Sequence, residues 1–401
     1  MIQGHDIICF SNDWDADPLS KKHIMQRLAT HNRILWVNSF GMRNPTASAR
    51  DFKRIAKKLW DFAHGCRRLG ENMYLFSPLA IPLHGNAAAR WFNRFWLALQ
   101  VRLVCRQIGF RDAITWTFVP HSADVVGNLG DKHVIYHCVD EFSEFTGTDK
   151  AAILDMERRL IDKSDAVIVS SGRLQQAKCT QGVQTFLVTH GVDVAHFRKA
   201  CDPHTAIPAD IAGIPAPIIG FFGLIEDWVD LRLVRFLAQA RPQWSFVLIG
   251  KLATDDSPVR GLPNVHLLGR KEYQQLPAYC KAFDVALLPF VINELTLAAN
   301  PLKLREYLAA GLPVVASAIP EAERLEGLLR IARTDEEFLE QIGDLLAKGL
   351  PAELRLRISQ SMENETWDRK VEDLSRIVES LGTRARPLAW PSFAPVRRRE
   401  F

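Results

Sequence analysis

Two doubly wound α/β domains in tandem are what this sequence predicts, and three observations predict them. Short apolar, β-rich runs alternate with longer amphipathic stretches along the whole chain, the pattern of a parallel sheet with crossover helices. The alternation breaks once, between Cys201 and Pro217, where four prolines and several small residues interrupt every period. The 401 residues, 47% of them hydrophobic, exceed what one core ordinarily fills and suffice for two.

In the first half the expected strands are His5 to Phe10, Arg33 to Asn38, Met73 to Phe76, Ala113 to Thr117, His133 to Cys138, Ala166 to Ser170 and Thr185 to Val188. Helical patterns lie between them at Ser20 to Thr30, Arg50 to Arg68, Ala87 to Gln107 and Ala151 to Lys163. The second series has strands at Pro217 to Phe222, Ser245 to Ile249, Asn264 to Leu268, Val285 to Pro289 and Pro313 to Ala316. Its helices are Leu231 to Ala240, Tyr273 to Phe283 and Pro301 to Ala310. The expected division is a first domain over 1–200, a second over 215–365, a helix over 366–383 that packs back on the first domain, and a basic flexible tail over 384–401. Two such domains present the carboxyl ends of their strands, and so their ligand crevices, to each other across a cleft.

Composition excludes several classes. Fifty basic residues against forty-six acidic ones leave a formal net charge of +4, which makes no case for a nucleic-acid binder. The opening MIQGHDIICF has no basic leader region, and no run approaches the roughly 20 apolar residues of a membrane span, so the expectation is a cytoplasmic protein. Seven scattered cysteines form no C-x-x-C pair and read as free thiols.

The segment richest in chemistry runs from Asn300 to Ser317, a helix that ends at Gly311 and leads straight into a buried strand. Pro301 at its first turn lacks an N–H that the helix start would leave unpaired, so the helix N-terminus is open to an anion such as a diphosphate. Lys303 adds a full charge one turn in, and Glu306 follows on the same face, where a carboxylate accepts hydrogen bonds from ribose hydroxyls. Gly220 and Gly223, after the first strand of the second domain, allow close approach of backbone N–H groups to phosphate, or else make a tight strand-to-helix turn. Lys251 and Arg270 close two further strands and project toward the same crevice. In the first domain Asp13, Lys21 and His23 lie on the loop and helix after the first strand and are expected to line an acceptor cleft. Asp13 and Asp15 have the spacing of a D-x-D metal motif but stand far from the diphosphate site, so no metal is expected.

The Asn300–Ser317 segment resembles the donor-binding helix of GT-B glycosyltransferases, in particular the retaining bacterial group of capsule, teichuronic-acid and exopolysaccharide enzymes. His190 to Phe197, Ile219 to Trp228, Gly269-Arg270 and Phe283 to Phe290 match in order, and the likeness covers most of residues 130 to 380. It implies two Rossmann-like domains, a nucleotide-diphosphate-sugar donor held by Gly223, Lys251, Arg270, Asn300, Lys303 and Glu306, and no cofactor. It also implies that Asp140 and Glu141 lie near the transferred sugar, with Asp140 and His137 as catalytic candidates. A lone histidine on a strand is more often a hydrogen-bonded core residue than a catalyst. The group's E-x7-E pattern fails here: eight positions before Glu306 stands Ala298, leaving Glu294 or Asn300 to replace the first acid.

The helices over Arg50–Arg68 and Ala87–Gln107 carry apolar stripes flanked by Arg and Lys, and the tail adds Arg397, Arg398 and Arg399. Such elements dock on anionic membrane surfaces, or form ordinary domain helices with a solvated rim. The expected function is a sugar transferase acting at the inner face of the cell membrane on a lipid-linked or glycan acceptor, with no nucleic-acid partner. The alternatives are a nucleotide-sugar epimerase of the same fold and a degenerate transferase that binds without turnover.

Overall fold

The computed structural model describes residues 1–15, 19–40, 49–81, 87–180 and 182–382, with the side chains of 49–55 and 87–90 outside the description. The basic tail over 384–401 lies beyond the described residues. The first domain is built on β1 (Asp6–Phe10), β2 (Arg33–Val37), β3 (Arg67–Arg68), β4 (Met73–Phe76), β5 (Ile114–Thr117), β6 (His133–Cys138), β7 (Ala166–Val169) and β8 (Gln184–Leu187). Their order in the sheet is 3-4-2-1-5-6-7-8, and every pair is parallel except β3 with β4. The second domain has β9 (Ile218–Phe222), β10 (Ser245–Ile249), β11 (Val265–Gly269), β12 (Val285–Leu288), β13 (Val314–Ser317) and β14 (Arg330–Ala332), ordered 11-10-9-12-13-14 and all parallel. The central strands are buried along their whole length, as strands with helices on both faces require.

Strand order reverses beside β1 in one sheet and beside β9 in the other, and these switch points place a crevice at the carboxyl edge of each domain. The helix expected over Arg50–Arg68 runs from Ala49 to Ala63 and stops at Gly65, after which Arg67–Arg68 forms an exposed edge strand. That strand and the edge strand β14 were not foreseen, because two or three residues carry no readable period.

Each domain has its own hydrophobic core. Val192, Val194, Phe197 and Ala200, inside the expected first domain, contribute to the second core. The proline-rich stretch after Cys201 is pinned to the second domain: Lys281 donates to the carbonyls of Asp202, Pro203 and Thr205, and Asp210 pairs with Lys271 and Tyr279. The closing helix Trp367–Ser380 is capped by Thr366 and packs Trp367, Val371, Leu374 and Val378 into the first core. The chain therefore crosses between domains twice, and the crossings lie side by side. Val192 N donates to Glu365 O at 2.8 Å, and a Cβ on Gly191 would stand 2.8 Å from the Trp367 nitrogen.

Candidate functional site

The donor-side crevice is assembled from backbone turns at the carboxyl edge of the second sheet. Gly223, just past β9, adopts φ +143°, and a Cβ there would lie 1.9 Å from Lys303 Cε. The lysine side chain thus lies directly over a bare backbone unit. Gly250, past β10, has φ +154°, and a Cβ there would lie 1.7 Å from Gly223 O, so the second glycine is what lets the first turn close in. Gly220 has a different role from the one expected: it sits within β9, where a Cβ would strike the Phe283 ring at 2.2 Å, so its absence of side chain serves packing.

Helix Leu302–Ala309 aims its N-terminus at this spot. It is fixed to β9 by Tyr307, whose buried hydroxyl accepts from Phe222 N at 3.0 Å. Glu306, half-buried one turn behind Lys303, makes no side-chain hydrogen bond to another described residue. Burial pushes its carboxyl up to about 7, against the pull of the Lys303 ammonium. Tyr273 packs on His196 with ring centroids 4.5 Å apart, and Glu306 and Asp193 help burial to raise its hydroxyl. Lys251 and Arg270 are exposed at the ends of β10 and β11, where expected, and Arg270 has Glu272 at 3.8 Å.

Across the cleft stands the loop after β6. Asp140 is half-buried, with its carboxyl pushed up to about 6 by burial while Lys21 and Lys303 draw it down. An acid of the first domain and a lysine of the second thus act on each other across the cleft. Lys21 is buried: its ammonium reaches Asn12 Oδ1 at 3.3 Å, lies 5.6 Å from the Phe142 ring, and is drawn down in pKa by burial while Asp140 opposes. The Lys21–Asp140–Lys303 grouping brings charges of both domains together at the cleft.

Other expected site residues are placed elsewhere. His137 is a core residue, 1% exposed against Phe118 at 4.9 Å, and burial, with His190 and Lys21 nearby, lowers its pKa to about 3, so its ring is neutral. Glu141 turns back into the domain to pair with Lys178 at 2.7 Å. His23 stacks flat on Trp367 at 5.2 Å and lies 5.6 Å from Tyr273, a packing role in place of an acceptor contact. Asp13 is exposed on the rim of a small crevice with Asn38, Lys57 and Ser77, and Asp15 faces Lys57 at 3.6 Å. No group of three metal-ligating side chains occurs among the described residues.

Of the two proposed substitutes for the absent acid, Asn300 is buried and fully engaged, while Glu294 is exposed. Asn300 donates to Ser170 O at 2.6 Å and accepts from Arg305 at 2.7 Å, while its own carbonyl takes His190 Nδ1 at 2.9 Å. It clamps the domains together. Glu294 pairs with Arg173 of the first domain at 3.1 Å. At the position eight before Glu306, the Ala298 carbonyl accepts from Ser171 Oγ at 2.6 Å. Sequence reasoning missed Arg305, a buried guanidinium bound also to Glu321 at 2.8 Å and Glu365 at 3.3 Å, because nothing near it in the chain betrays partners so distant.

Two Rossmann-like domains with facing crevices define the GT-B class of glycosyltransferase fold. Comparisons with known proteins agree: residues 216–348, within the second domain, match the family model described as glycosyl transferases group 1. A curated relative from Bacillus subtilis (strain 168), by name a teichuronic acid biosynthesis glycosyltransferase (TuaH), is 28% identical over 212 residues, 48% of this chain. The match spans about half the length of that relative, 52%. Among solved structures, Anabaena Alr3699/HepE in complex with UDP and glucose superposes with a TM-score of 0.65 at 15% identity, covering 94% of this chain and 100% of that one. The E. coli trehalose-6-phosphate structure bound with UDP-2-fluoro glucose gives a TM-score of 0.65 at 11% identity, covering 95% and 100%.

Proposed function

We propose that this protein transfers a sugar from a nucleoside-diphosphate sugar, with a uridine nucleotide as the first candidate, to a lipid-linked or glycan acceptor in cell-surface glycan synthesis. The observation that carries the reading is Lys303 lying over Gly223 at the start of the Leu302–Ala309 helix, with Glu306 behind it and Asp140 opposite. Glycosyl transfer depends on stabilising the departing diphosphate, and Lys303, the helix start, Lys251 and Arg270 supply positive charge for it without a metal or other cofactor. The UDP and UDP-glucose held by Alr3699/HepE support the donor class. The name of the Bacillus relative supports the glycan role. The study of trehalose-6-phosphate synthase that describes glycosyl transfer with retention supports a retaining outcome.

The testing experiment is a thermal-shift screen with UDP, GDP, dTDP, CDP and ADP. One nucleotide should stabilise the protein by about 2.7 kcal/mol at a hundred times its Kd. Glu306→Ala should lose that stabilisation while still unfolding cooperatively near the wild-type temperature. No response to any nucleotide would move the reading to a non-catalytic binding protein. Because burial raises the Glu306 carboxyl to about 7, nucleotide affinity should rise as pH climbs through about 7 and the ionised form becomes available to ribose. Glu306→Gln should flatten that rise, and titration of the nucleotide's own phosphate cancels in the comparison. Without nucleotide the sign is opposite. The stability that protonated Glu306 contributes is complete below its ordinary value of 4.5 and is lost as pH rises through about 7.

We also infer a peripheral position on an anionic membrane at the cytoplasmic face. Among the described residues no helix is long and apolar enough to cross a membrane. The helix Ala87–Gln107 buries Leu97, Val101 and Val104 in the first core while Trp91 (66% exposed), Phe95, Leu99 and Leu103 (53%) face outward, so it is apolar on both sides. Exposed Arg94 and Arg106 border the outer stripe, and Leu59 and Trp60 are exposed on the neighbouring amphipathic helix Ala49–Ala63. Cosedimentation with phosphatidylglycerol vesicles should occur at low salt and weaken as salt rises. The double variant W91E with L99E should abolish it without lowering Tm. Equal binding to neutral vesicles, or no binding to either, would remove the membrane assignment.

A further inference from the structure

Beneath the loop that carries Asp140 lies a set of buried charges that neither the donor site nor the cores explain. Lys178, 4% exposed near the end of helix Gly172–Lys178, gives its ammonium to both carboxylate oxygens of Glu141 at 2.8 and 2.7 Å and to Glu157 at 2.7 Å. Glu157, 3% exposed on helix Lys150–Ile161, also accepts from the Tyr136 hydroxyl at 2.6 Å, and the Cys138 thiol lies 3.6 Å away. Tyr136 and Cys138 are on β6, the strand that leads into Asp140. Four elements are thus tied to one ammonium.

Such a set is a poor source of stability. Well-packed apolar side chains of similar volume stabilise as much as a buried ion pair or more, so what the charges add is direction. Here the direction falls on one loop. Glu141 is bound to Lys178 immediately after Asp140; Phe142, next in the chain, is buried against the Lys21 ammonium. Three residues on, Phe145 meets Trp228 of the second domain edge-on with centroids 6.2 Å apart, and Thr146 bonds Asp227. The loop is gripped at one end by the first domain's interior and at the other by the second domain, with Asp140 directly before the interior grip.

We propose that Lys178, through Glu141 and Glu157, is a positioning residue for sugar transfer: it holds the loop after β6 so that the Asp140 carboxylate faces Lys303 across the cleft. The inference rests on the donor-site reading above. The Lys178 ammonium bonds Glu141 and Glu157 and none of Lys21, Asp140 or Lys303; with Glu141 it lines a pocket that also reaches Glu294 and Ala298 of the second domain, away from the turns at Gly223 and Gly250, so its loss should alter turnover and leave nucleotide binding alone.

The experiment uses the full chain, UDP as the binding probe and UDP-glucose cleavage as the reaction, in wild type, K178M, K178R and E141Q. A displacement of about 1 Å at a reacting group lowers turnover on the order of a hundredfold. K178M should therefore lower kcat ten- to a hundredfold with KM and the UDP thermal shift unchanged, K178R should restore part of the loss, and Asp140→Asn combined with K178M should fall little further than Asp140→Asn alone. Because K178M strands two carboxylates, E141Q, which keeps the shape and one acceptor, is the variant that distinguishes mispositioning from misfolding: it should show the same kcat loss in smaller degree at wild-type Tm. Unchanged kcat in a folded K178M or E141Q would overturn the proposal, as would a loss seen only in KM or fully additive with Asp140→Asn. Failure of the wild type to respond to UDP or to any other nucleotide of the screen overturns the donor reading instead, and in that case faster amide exchange over 139–146 in E141Q at unchanged exchange of β9 still supports the tether; unchanged exchange there refutes it.

Discussion

Lys303→Ala is expected to lower turnover of the nucleotide sugar by 10²–10³-fold, the range seen when one charged or donor group is taken from a developing oxyanion. Stability should change little, because the ammonium lies over a backbone turn at the cleft and its removal opens no cavity in the core. A second readout separates loss of charge from loss of shape. Lys303 draws down both the Glu306 and the Asp140 carboxyls, so removing it should push both upward and shift the acid limb of nucleotide binding to higher pH. Lys303→Met, similar in length and uncharged, should reproduce the shift. If Lys303→Met turned over normally, the diphosphate would have to be neutralised elsewhere and the donor assignment at this helix would fall.

Arg305→Ala should have the largest effect on stability, about 3–5 kcal/mol, read as a lowered urea midpoint at unchanged slope. Arg305 is 3% exposed and Glu321, its partner at 2.8 Å, 2% exposed, so the substitution leaves a buried carboxylate whose remaining cation is the half-exposed Arg324 at 3.6 Å. It also frees Asn300 Oδ1, one end of the clamp to Ser170. The double variant R305M with E321M removes both charges and should recover much of the loss. A single substitution that is neutral would mean that Arg324 alone compensates Glu321.

The elements that were legible are those whose signal is local. Parallel strands such as Ile218–Phe222 and Val285–Leu288 read as continuous apolar runs because both faces are covered, and Lys303 and Glu306 were readable because a proline, a cation and an acid share one helical turn. What could not be read depended on partners far away in the chain. Asn300 resembled a ligand contact until the fold brought Ser170, 130 residues earlier, to its amide. His23 had the position of a cleft residue, yet its ring is covered by Trp367. Glu141 and Asp140 are adjacent and chemically alike, and only Lys178 in the interior decides which of them faces the cleft. Polar residues at strand ends announce a site; which ones are struts depends on contacts that no local period encodes.

The paired crossings at Val192 and Glu365 also bear on how the molecule is able to move. Two covalent links at well-separated points would brace the lobes against rotation, whereas two links joined by a hydrogen bond at one point act as a single pivot. Motion of one lobe relative to the other then reduces largely to a swing about that point, with displacement growing in proportion to distance from it. The gap that such a swing varies most is the far rim of the cleft, so substrate entry and product exit are expected there while the region around Asn300 and His190 stays nearly still. A disulfide engineered across the distal rim would arrest catalysis in its closed form, and one placed beside the pivot would leave turnover untouched.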